Sequence, residues 1–495
     1  MLGENVSMAG PSIVLFLSDQ HRADVMGVMG DPRVRTPNLD AMAKEGVLFR
    51  RGYCNAPVCG PSRMSLLTGQ MPHRIGVTSN RAALASHIPT IAHALGAAGY
   101  DTVLCGRMHF IGPDQSHGFS ERLVGDFGPT NIAFEESDGG PFNGTTGQHR
   151  STLEVSGPGI APPLEYDREV LAAAVRRLQE QRGERPIFMV VGTYAPHNPY
   201  VCSPERYAYY RRELPPWTEK EARDFREEAH PALRFWLESR EMSGVSEEEM
   251  NRSRAAYYGM VEEMDEMIGA LWGAVDETLG KENTLCGYLS DHGDMAGEKG
   301  MFWKSNFLEG SVRVPMVWRG PGLAAGHAVE DPVSLLDLAP TLTDWAGAPS
   351  LPAAEGRSLV AALRGESLSQ GAPVVSLLVD PRCGPSVMVC ENEWKWIRYA
   401  RWPEEQLFHL GRNPGESGSG AITTPEEKKV AGRLSQFAPS EDEWVLIVRE
   451  WEHSGESGQL LRRYAREQSL GSPDKWHPVL ERLESFRDGS PDNAK

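Results

Sequence analysis

Short, mostly apolar segments recur along the first two thirds of the chain, and polar or charged residues follow each of them. These segments are residues 12–17, 47–49, 101–105, 187–191, 284–289 and 314–318. Runs of this length are typical of strands buried in a parallel sheet. Because ligands of open α/β sheets bind at the carboxyl ends of the strands, we expect the functional side chains to follow these segments.

Helical periodicity fills the intervals between the predicted strands. Thr36 and Pro37 suit an N-cap and a first helical position, and Gly46 suits the end of that helix. Further helices are predicted at residues 89–98, 166–181, 255–279 and 337–346. Residues 138–165 are rich in Gly, Pro and Ser and predict a surface loop, whereas the highly charged residues 203–252 predict a helical lid or insertion.

The pattern changes after residues 365–373, where we place a domain boundary. Beyond it, residues 387–390, 394–399 and 406–410 alternate in polarity and predict a small antiparallel sheet, followed by a helical tail. A chain of 495 residues is long for a single core. We therefore expect a large N-terminal domain over residues 1–370 and a smaller C-terminal subdomain over residues 371–495.

Charge and composition exclude several classes of protein. Asp and Glu outnumber Lys and Arg by 68 to 50, which argues against a nucleic-acid or anionic-membrane surface. No stretch approaches transmembrane length, and residues 1–20 lack the pattern of a signal peptide, so we expect a cytoplasmic protein. The 7 cysteines are an odd number without zinc-type spacing and indicate neither a disulfide framework nor a zinc ribbon.

Residues 54–69, which read CNAPVCGPSRMSLLTG, are the strongest candidate for chemistry. Pro61 suits the first turn of a helix, which would place Cys59 at a helix N-terminus, where backbone N–H groups favour an anion. Arg63 lies one turn further on and would direct a guanidinium to the same place. The alternative is a structural cysteine buried beside a helix.

Two other strand ends carry candidate metal ligands. Asp19 and Gln20 follow the first apolar segment, and Asp291 and His292 follow residues 284–289. Neighbouring oxygen and nitrogen donors suit a divalent cation that prefers oxygen. The alternatives are an Asp that caps a loop and an Asp-His-Gly turn without metal.

The remaining candidates are cationic, imidazole or amide side chains near the same predicted edge. Arg107 and His109 follow residues 101–105, His197 lies between two prolines, and Lys304 precedes residues 314–318. Asn80, in the loop after the cysteine stretch, is a weaker candidate for a contact to substrate. Each has an ordinary alternative as a structural histidine, a turn residue or a solvated lysine.

The cysteine stretch resembles the signature of type I sulfatases, whose cysteine is oxidised to formylglycine. The order of SDQ, CGPSR, GRMH, APHNPY, SDHGD and the block 304–313 is similar to the order of landmarks in that family. Residues 108–119 and 256–259 most resemble the choline-sulfatase branch. The resemblance implies an alkaline-phosphatase-like α/β fold, with a large mixed sheet sandwiched by helices and a smaller C-terminal α+β subdomain that contains a short antiparallel sheet.

The resemblance also implies roles for the candidate residues in hydrolysis of a sulfate monoester. One Ca²⁺ would be held by formylglycine 59 and by Asp19, Gln20, Asp291 and His292. Contacts to formylglycine, sulfate and substrate would come from Arg63, Arg107 and Asn80. His197 and Lys304 would stabilise or protonate the leaving oxygen, and His109 would draw a proton from the second hydroxyl so that the hemiacetal breaks.

The resemblance also implies a maturation partner, whereas a homo-oligomer is suggested only by the helical tail. A formylglycine-generating enzyme would be the partner that oxidises Cys59, and the helical tail is compatible with a homo-oligomer. We expect neither a nucleic-acid nor a membrane partner.

Two departures from the family pattern bear on the substrate. Arg107 stands where the family usually has lysine, and residues 126–136 contain no Trp where choline sulfatases contribute one to an aromatic cage. The alternative activity is a phosphonate monoester or phosphodiester hydrolase of the same superfamily. A different class, a metal-binding protein without turnover, would follow if Cys59 were never oxidised.

Overall fold

The computed structural model describes residues 10–128, 147–181, 185–368 and 372–467. Its strands are β1 (Ser12–Asp19), β2 (Val47–Phe49), β3 (Gly52–Tyr53), β4 (Asp101–Gly106), β5 (Glu121–Val124), β6 (Gly157–Pro158), β7 (Ile187–Pro196), β8 (Val201–Cys202), β9 (Thr284–Ser290), β10 (Arg313–Val314), β11 (Met316–Arg319), β12 (His327–Val329), β13 (Val333–Ser334), β14 (Val374–Asp380), β15 (Gly384–Glu391), β16 (Trp394–Tyr399) and β17 (Gln406–His409). Its helices are α1 (Pro37–Glu45), α2 (Cys59–Thr68), α3 (Ile91–Ala97), α4 (Ser151–Glu154), α5 (Pro162–Gln179), α6 (Pro204–Glu213), α7 (Glu219–Glu228), α8 (Pro231–Ser239), α9 (Glu247–Thr278), α10 (Glu309–Val312), α11 (Leu338–Ala346), α12 (Val360–Leu363), α13 (Pro425–Leu434) and α14 (Glu441–Glu467).

The main sheet has eight strands in the order β12-β2-β11-β9-β1-β7-β4-β5. Strand β1 pairs in parallel with both β7 and β9, whereas β11 is antiparallel to its neighbours β9 and β2. The sheet is therefore mixed, as expected from the resemblance, with a parallel centre.

Helices cover both faces of this sheet and account for the unbroken apolar pattern of β1. Ile13, Leu15 and Leu17 pack into the core that contains α2, α3 and α11, while Val14 and Phe16 pack into the core that contains α1, α5 and α9. Successive side chains of a strand point to opposite faces, so a strand covered on both sides is apolar at every position. The predicted α/β sandwich is confirmed.

Several predicted boundaries are wrong where helices are rich in polar residues. Helix α9 begins at Glu247 rather than at residue 255, and Ser246 and Glu249 form a capping box at its start. The predicted loop at 138–165 contains α4, β6 and the start of α5 in its described part, and residues 138–146 lie outside the described residues. The charged residues 203–252 form α6, α7 and α8 and the start of α9, so their predicted helical character is confirmed.

The C-terminal part contains an antiparallel sheet in the order β14-β15-β16-β17. Met388, Ile397 and Phe408 of this sheet join the main core, whereas Trp396 packs with Leu434 and other residues of α13 and α14. Strand β14 lies outside the three segments that the alternating pattern predicts. Among the described residues, the helices lack the combination of length and apolarity that crossing a bilayer requires.

The strands that carry the candidate residues run in the same direction. Strands β4, β7, β1 and β9 are adjacent and parallel, so their carboxyl ends meet at one edge of the sheet. Asp19 ends β1 and Asp291 follows β9, while Arg107 follows β4 and His197 follows β7. Parallel pairing thus brings together residues that are far apart in the sequence.

Candidate active site

Cys59 is the first residue of α2, as predicted, and its side chain is enclosed by charged groups. The residue is 1% exposed. Its Sγ lies 3.1 Å from His292 Nε2, 3.3 Å from Lys304 Nζ and 3.5 Å from Asp19 Oδ1. Burial, reinforced by the negative charge of Asp19, raises the pKa of the Cys59 thiol to about 12. The unmodified thiol is therefore a poor nucleophile at neutral pH.

Asp19, Cys59, Asp291 and His292 form a cluster with the donor set of a cation site. One ligand atom from each lies within 4.8 Å of the others. His292 Nδ1 is 3.0 Å from the carbonyl oxygen of Gly293 and donates to it, which leaves the lone pair of Nε2 directed at the cluster. Two carboxylates and an imidazole in this orientation fit a divalent cation.

Gln20 lies beside this cluster, but its side chain connects two other groups. Its Oε1 accepts a hydrogen bond from Lys304 Nζ at 2.7 Å, and its Nε2 donates to Asp294 Oδ2 at 2.5 Å. Asp294 is buried and also accepts a hydrogen bond from the Tyr200 hydroxyl at 2.5 Å. A ligand role for Gln20 therefore remains a prediction, in which Oε1 would use its second lone pair.

Two arginines neutralise the carboxylates of the cluster. Arg63 Nε donates to Asp291 Oδ2 at 2.8 Å, and Arg63 Nη2 donates to Asp19 Oδ2 at 3.2 Å. Arg107 Nε donates to the same Asp19 oxygen at 2.6 Å. Burial alone would raise the pKa of Asp19, but Arg107 and the neighbouring cations outweigh it and hold that pKa well below its usual range. Asp19 is therefore a carboxylate at neutral pH.

Lys304 uses its ammonium group as a donor in three directions. Nζ lies 2.7 Å from Gln20 Oε1, 2.5 Å from His197 Nε2 and 3.3 Å from Cys59 Sγ. His197 Nδ1 donates to the carbonyl oxygen of Asn198 at 2.8 Å, so its Nε2 accepts from Lys304. Burial and the charge of Lys304 hold the pKa of His197 well below its usual range. The pair is a neutral imidazole beside a cationic amine.

His109 is held by Arg107 and by a carboxylate that the sequence pattern did not reveal. Its backbone N–H donates to Asp126 Oδ2 at 2.9 Å, and its φ of 63° is left-handed. Arg107 Nη2 lies 3.1 Å from His109 Nδ1. Burial and the charge of Arg107 lower the pKa of His109 to about 3.

Asn80 lies at the N-terminus of α2. Its Oδ1 accepts a hydrogen bond from the backbone N–H of Gly60 at 2.8 Å. The side chain therefore satisfies one of the free donors at the start of the helix that carries Cys59. A contact to substrate remains a prediction for this residue.

Comparison with known proteins gives the family. The sulfatase family model matches residues 11–348. The chain belongs to the sulfatase family. This sulfatase is 36% identical over 423 residues to the choline-sulfatase of Rhizobium meliloti (strain 1021), in an alignment that covers 82% of this chain and 81% of the relative. It is accordingly a sulfuric ester hydrolase.

Solved structures share the fold of this sulfatase. A putative sulfatase from Bacteroides thetaiotaomicron superposes with a TM-score of 0.70 at 22% identity, covering 90% of this chain and 94% of that one. The phosphonate monoester hydrolase of Agrobacterium radiobacter gives a TM-score of 0.70 at 24% identity, covering 86% and 94%. At these identities the likeness concerns the fold alone, which this sulfatase shares with both solved structures.

Proposed function

We propose that this sulfatase hydrolyses an organic sulfate monoester to an alcohol and inorganic sulfate through formylglycine made from Cys59, with a bound divalent cation. The observation that carries the proposal is the surroundings of Cys59. A buried residue within the sequence CGPSR contacts a lysine, an imidazole and a carboxylate at the carboxyl ends of the central parallel strands. This is the arrangement required to hold an anion against residue 59.

The charges of the site favour an anionic substrate. Arg63 and Arg107 pair with the carboxylates of Asp19 and Asp291, and Lys304 contacts Cys59. A divalent cation would add further positive charge. A buried excess of positive charge is costly unless an anion neutralises it. A sulfate monoester brings one negative charge on oxygens that guanidinium forks can bind.

The proposed cation is Ca²⁺, held by Asp19, Asp291 and His292 together with residue 59, with Gln20 as a further oxygen donor. The oxygen-rich donor set supports this choice. When bound, the cation would withdraw charge from the sulfate oxygens that develop negative charge in the transition state. Arg63 holds one oxygen each of Asp19 and Asp291 in place, which fixes the geometry of these two donors.

Residue 59 would supply a hydrated aldehyde, one oxygen of which attacks the sulfur. The chain's contribution is to position and activate this residue. Backbone N–H groups at the N-terminus of α2 favour an anion beside residue 59. Asn80 accepts a hydrogen bond from the N–H of Gly60 and so holds the first turn of this helix in place. We assign Arg107 to a sulfate oxygen and His109 to the second hydroxyl of residue 59.

The leaving oxygen must receive a proton, and Lys304 is the group able to provide it. His197 Nε2 accepts a hydrogen bond from Lys304, so the proton between the two residues is on the amine. Transfer from Nζ to the departing oxygen would leave a neutral amine that His197 and Gln20 still contact. Acid assistance of this kind contributes about 10²- to 10⁴-fold to a rate.

The second candidate is hydrolysis of a phosphonate monoester or phosphodiester. The phosphonate monoester hydrolase of Agrobacterium radiobacter, which has the same fold, supports this candidate. The pair Arg107 and His109 favours the sulfatase reaction. The choline-sulfatase relative makes choline sulfate a substrate to include, although residues 126–136 contain no Trp for a cage.

A substrate panel tests the proposal. Protein co-produced with a formylglycine-generating enzyme would be given p-nitrophenyl sulfate, choline sulfate, a phenylphosphonate ester and a phosphodiester, each with and without a calcium chelator. We expect the highest kcat/KM on a sulfate ester and a loss of turnover with chelator. A preference for the phosphonate ester or diester, or an unaffected rate in chelator, would contradict the proposal.

A further inference from the structure

Lys304 lies between two residues whose backbone is left-handed. Trp303 has φ of 62° and Ser305 has φ of 64°. Residues with a side chain rarely adopt this conformation, and they keep it only where surrounding contacts hold them. The position of the Lys304 amine therefore depends on what supports residues 303–305.

The backbone N–H groups of Trp303 and Ser305 donate to Asp294 Oδ1 and to the carbonyl oxygen of Pro57, and two side chains from outside the main sheet add to this support. Trp236 of α8 donates from Nε1 to the carbonyl oxygen of Lys304 at 3.2 Å. Gln148, which precedes α4, donates from Nε2 to Ser305 Oγ at 2.8 Å. The two hydrogen bonds fix the segment at Lys304 itself and at the following residue.

Arg240 contacts both Trp236 and Gln148. Its guanidinium carbon lies 4.4 Å from the centre of the Trp236 ring, and its Nε donates to Gln148 Oε1 at 3.2 Å. Its Nη2 donates to Asp380 Oδ2 at 2.6 Å. Stacking on an indole together with two directed hydrogen bonds uses the planar shape of the guanidinium, not its charge alone.

Asp380 connects this network to the C-terminal sheet. It is the last residue of β14, and its Oδ1 accepts hydrogen bonds from the backbone N–H groups of Arg382 and Cys383, both at 2.8 Å. The Arg240 and Asp380 side chains are 1% and 4% exposed. A buried pair of this kind is costly to break because one charge is left without its partner.

We propose that Arg240 and Asp380 are positioning residues for Lys304, through which the insertion and the C-terminal sheet both control departure of the leaving group. The inference rests on the proposed function, in which Lys304 protonates the leaving oxygen. Arg240 touches neither residue 59 nor the other charged groups of the site in any recorded contact among the described residues, so its effect would pass through Trp236 and Gln148.

The dependence of the rate on the leaving group tests this inference. A p-nitrophenolate departs without a proton, whereas an aliphatic alkoxide needs one. Arg240→Met should therefore lower kcat about 10- to 100-fold on an alkyl sulfate and about threefold or less on p-nitrophenyl sulfate, with KM nearly unchanged. Asp380→Asn should show the same selectivity. A structural defect alone would reduce kcat on the alkyl sulfate and on p-nitrophenyl sulfate by the same factor.

A conservative variant and a control variant complete the test. Arg240→Lys retains the cation that Asp380 needs for folding but loses the stacking and the hydrogen bond to Gln148, so we expect an intermediate and still selective loss. Arg211→Met, which removes an ion pair with Glu248 elsewhere in the insertion, is the matched control and should leave both rates unchanged.

A double variant adds an independent readout. In a Lys304→Ala background, Arg240→Met should reduce the remaining alkyl sulfate activity by less than about twofold, because the group that it positions is absent. Equal losses on both esters in folded Arg240→Lys and Asp380→Asn proteins would overturn this inference alone. A wild-type protein that hydrolyses neither ester would overturn the proposed function and this inference together.

Discussion

Arg107 Nη2 donates a hydrogen bond to His109 Nδ1 over 3.1 Å. Because a guanidinium can only donate, Nδ1 is the acceptor and the proton of the neutral ring is on Nε2. With its pKa lowered to about 3 by burial and by Arg107, the ring remains neutral at physiological pH. To take up a proton, His109 would have to accept it at Nδ1 in competition with Arg107.

Arg107→Lys is the first prediction. A lysine can replace the contact to Asp19 but cannot reach His109 with a second nitrogen, so the tautomer is no longer fixed. Loss of a hydrogen bond from a charged group costs about 1.5–3 kcal/mol, and we expect kcat/KM on p-nitrophenyl sulfate to fall about 10- to 100-fold. Steady-state kinetics measure this effect. The control is Arg33→Lys, at an arginine that pairs with Asp31. Unchanged kinetics in Arg107→Lys would show that the fork has no functional role.

Conversion of Cys59 to formylglycine is the second prediction. Mass spectrometry of the peptide that contains residue 59 should detect the aldehyde in protein from a host with the maturing enzyme, and Cys59→Ala should reduce sulfate ester turnover to background. Cys286→Ala removes another buried thiol, on β9, and should keep activity. Full turnover by protein whose residue 59 is entirely thiol would refute the assignment.

Stabilisation by calcium is the third prediction, and it has a readout besides activity. A ligand that binds only the folded state stabilises it by about 2.7 kcal/mol at a concentration of 100 Kd, so Ca²⁺ should raise the unfolding temperature of the wild type. Asp291→Asn removes one carboxylate of the cluster and should abolish that shift. Asp344→Asn, at an exposed position of α11, should retain it. An equal shift in all three proteins would place the bound Ca²⁺ elsewhere.

The fourth prediction concerns Asp167, a buried residue of α5. Its Oδ1 and Oδ2 accept hydrogen bonds from the backbone N–H groups of Tyr194 and Ala195, just before His197. Burial raises the pKa of Asp167 to about 7 from an ordinary value of 3.8. Since the folded state binds this proton more tightly, the associated stability is complete below pH 3.8 and is lost as pH rises towards 7.

Chemical unfolding of wild type and Asp167→Asn across this pH range measures the effect. The wild-type free energy of unfolding should decline relative to that of the variant, with a slope of at most about 1.4 kcal/mol per pH unit. Asn cannot titrate and so lacks this slope, although it also loses one acceptor for the backbone. Parallel pH profiles for the two proteins would mean that folding does not raise the pKa of Asp167.

Much of the fold could be predicted because it depends on local patterns. The apolar runs located the central strands, and Pro61 and the preceding Cys59 located the start of α2. Boundaries were wrong where a helix begins with an exposed, polar first turn, as at Glu247, because polar residues carry little periodic signal. The start of α9 is marked instead by the capping box of Ser246 and Glu249, which are polar and so do not contribute to an apolar pattern.

The site was predicted only in part, for a similar reason. Asp294 stood within the SDHGD stretch and could have been noticed, since it is one more carboxylate at the end of β9. Asp126 carried no local signal, because its function depends on contacts to Met108 and His109, which are distant in sequence. The sequence places the amides of Asn80 and Gln20 near the site, but only the structure shows which hydrogen bonds they make.

The sequence by itself determined which residues lie at strand ends and at the start of α2, since burial periodicity and helix-start chemistry are properties of neighbouring residues. Parallel pairing of β4, β7, β1 and β9 then required those ends to share one edge. Only the tertiary structure decided which ring nitrogen of His197 and His292 carries the proton, and that Arg240 of the insertion is paired with Asp380 of the C-terminal sheet. Hydrogen bonds and ion pairs between distant segments depend on ångström-scale distances, and those distances exist only after the chain has packed.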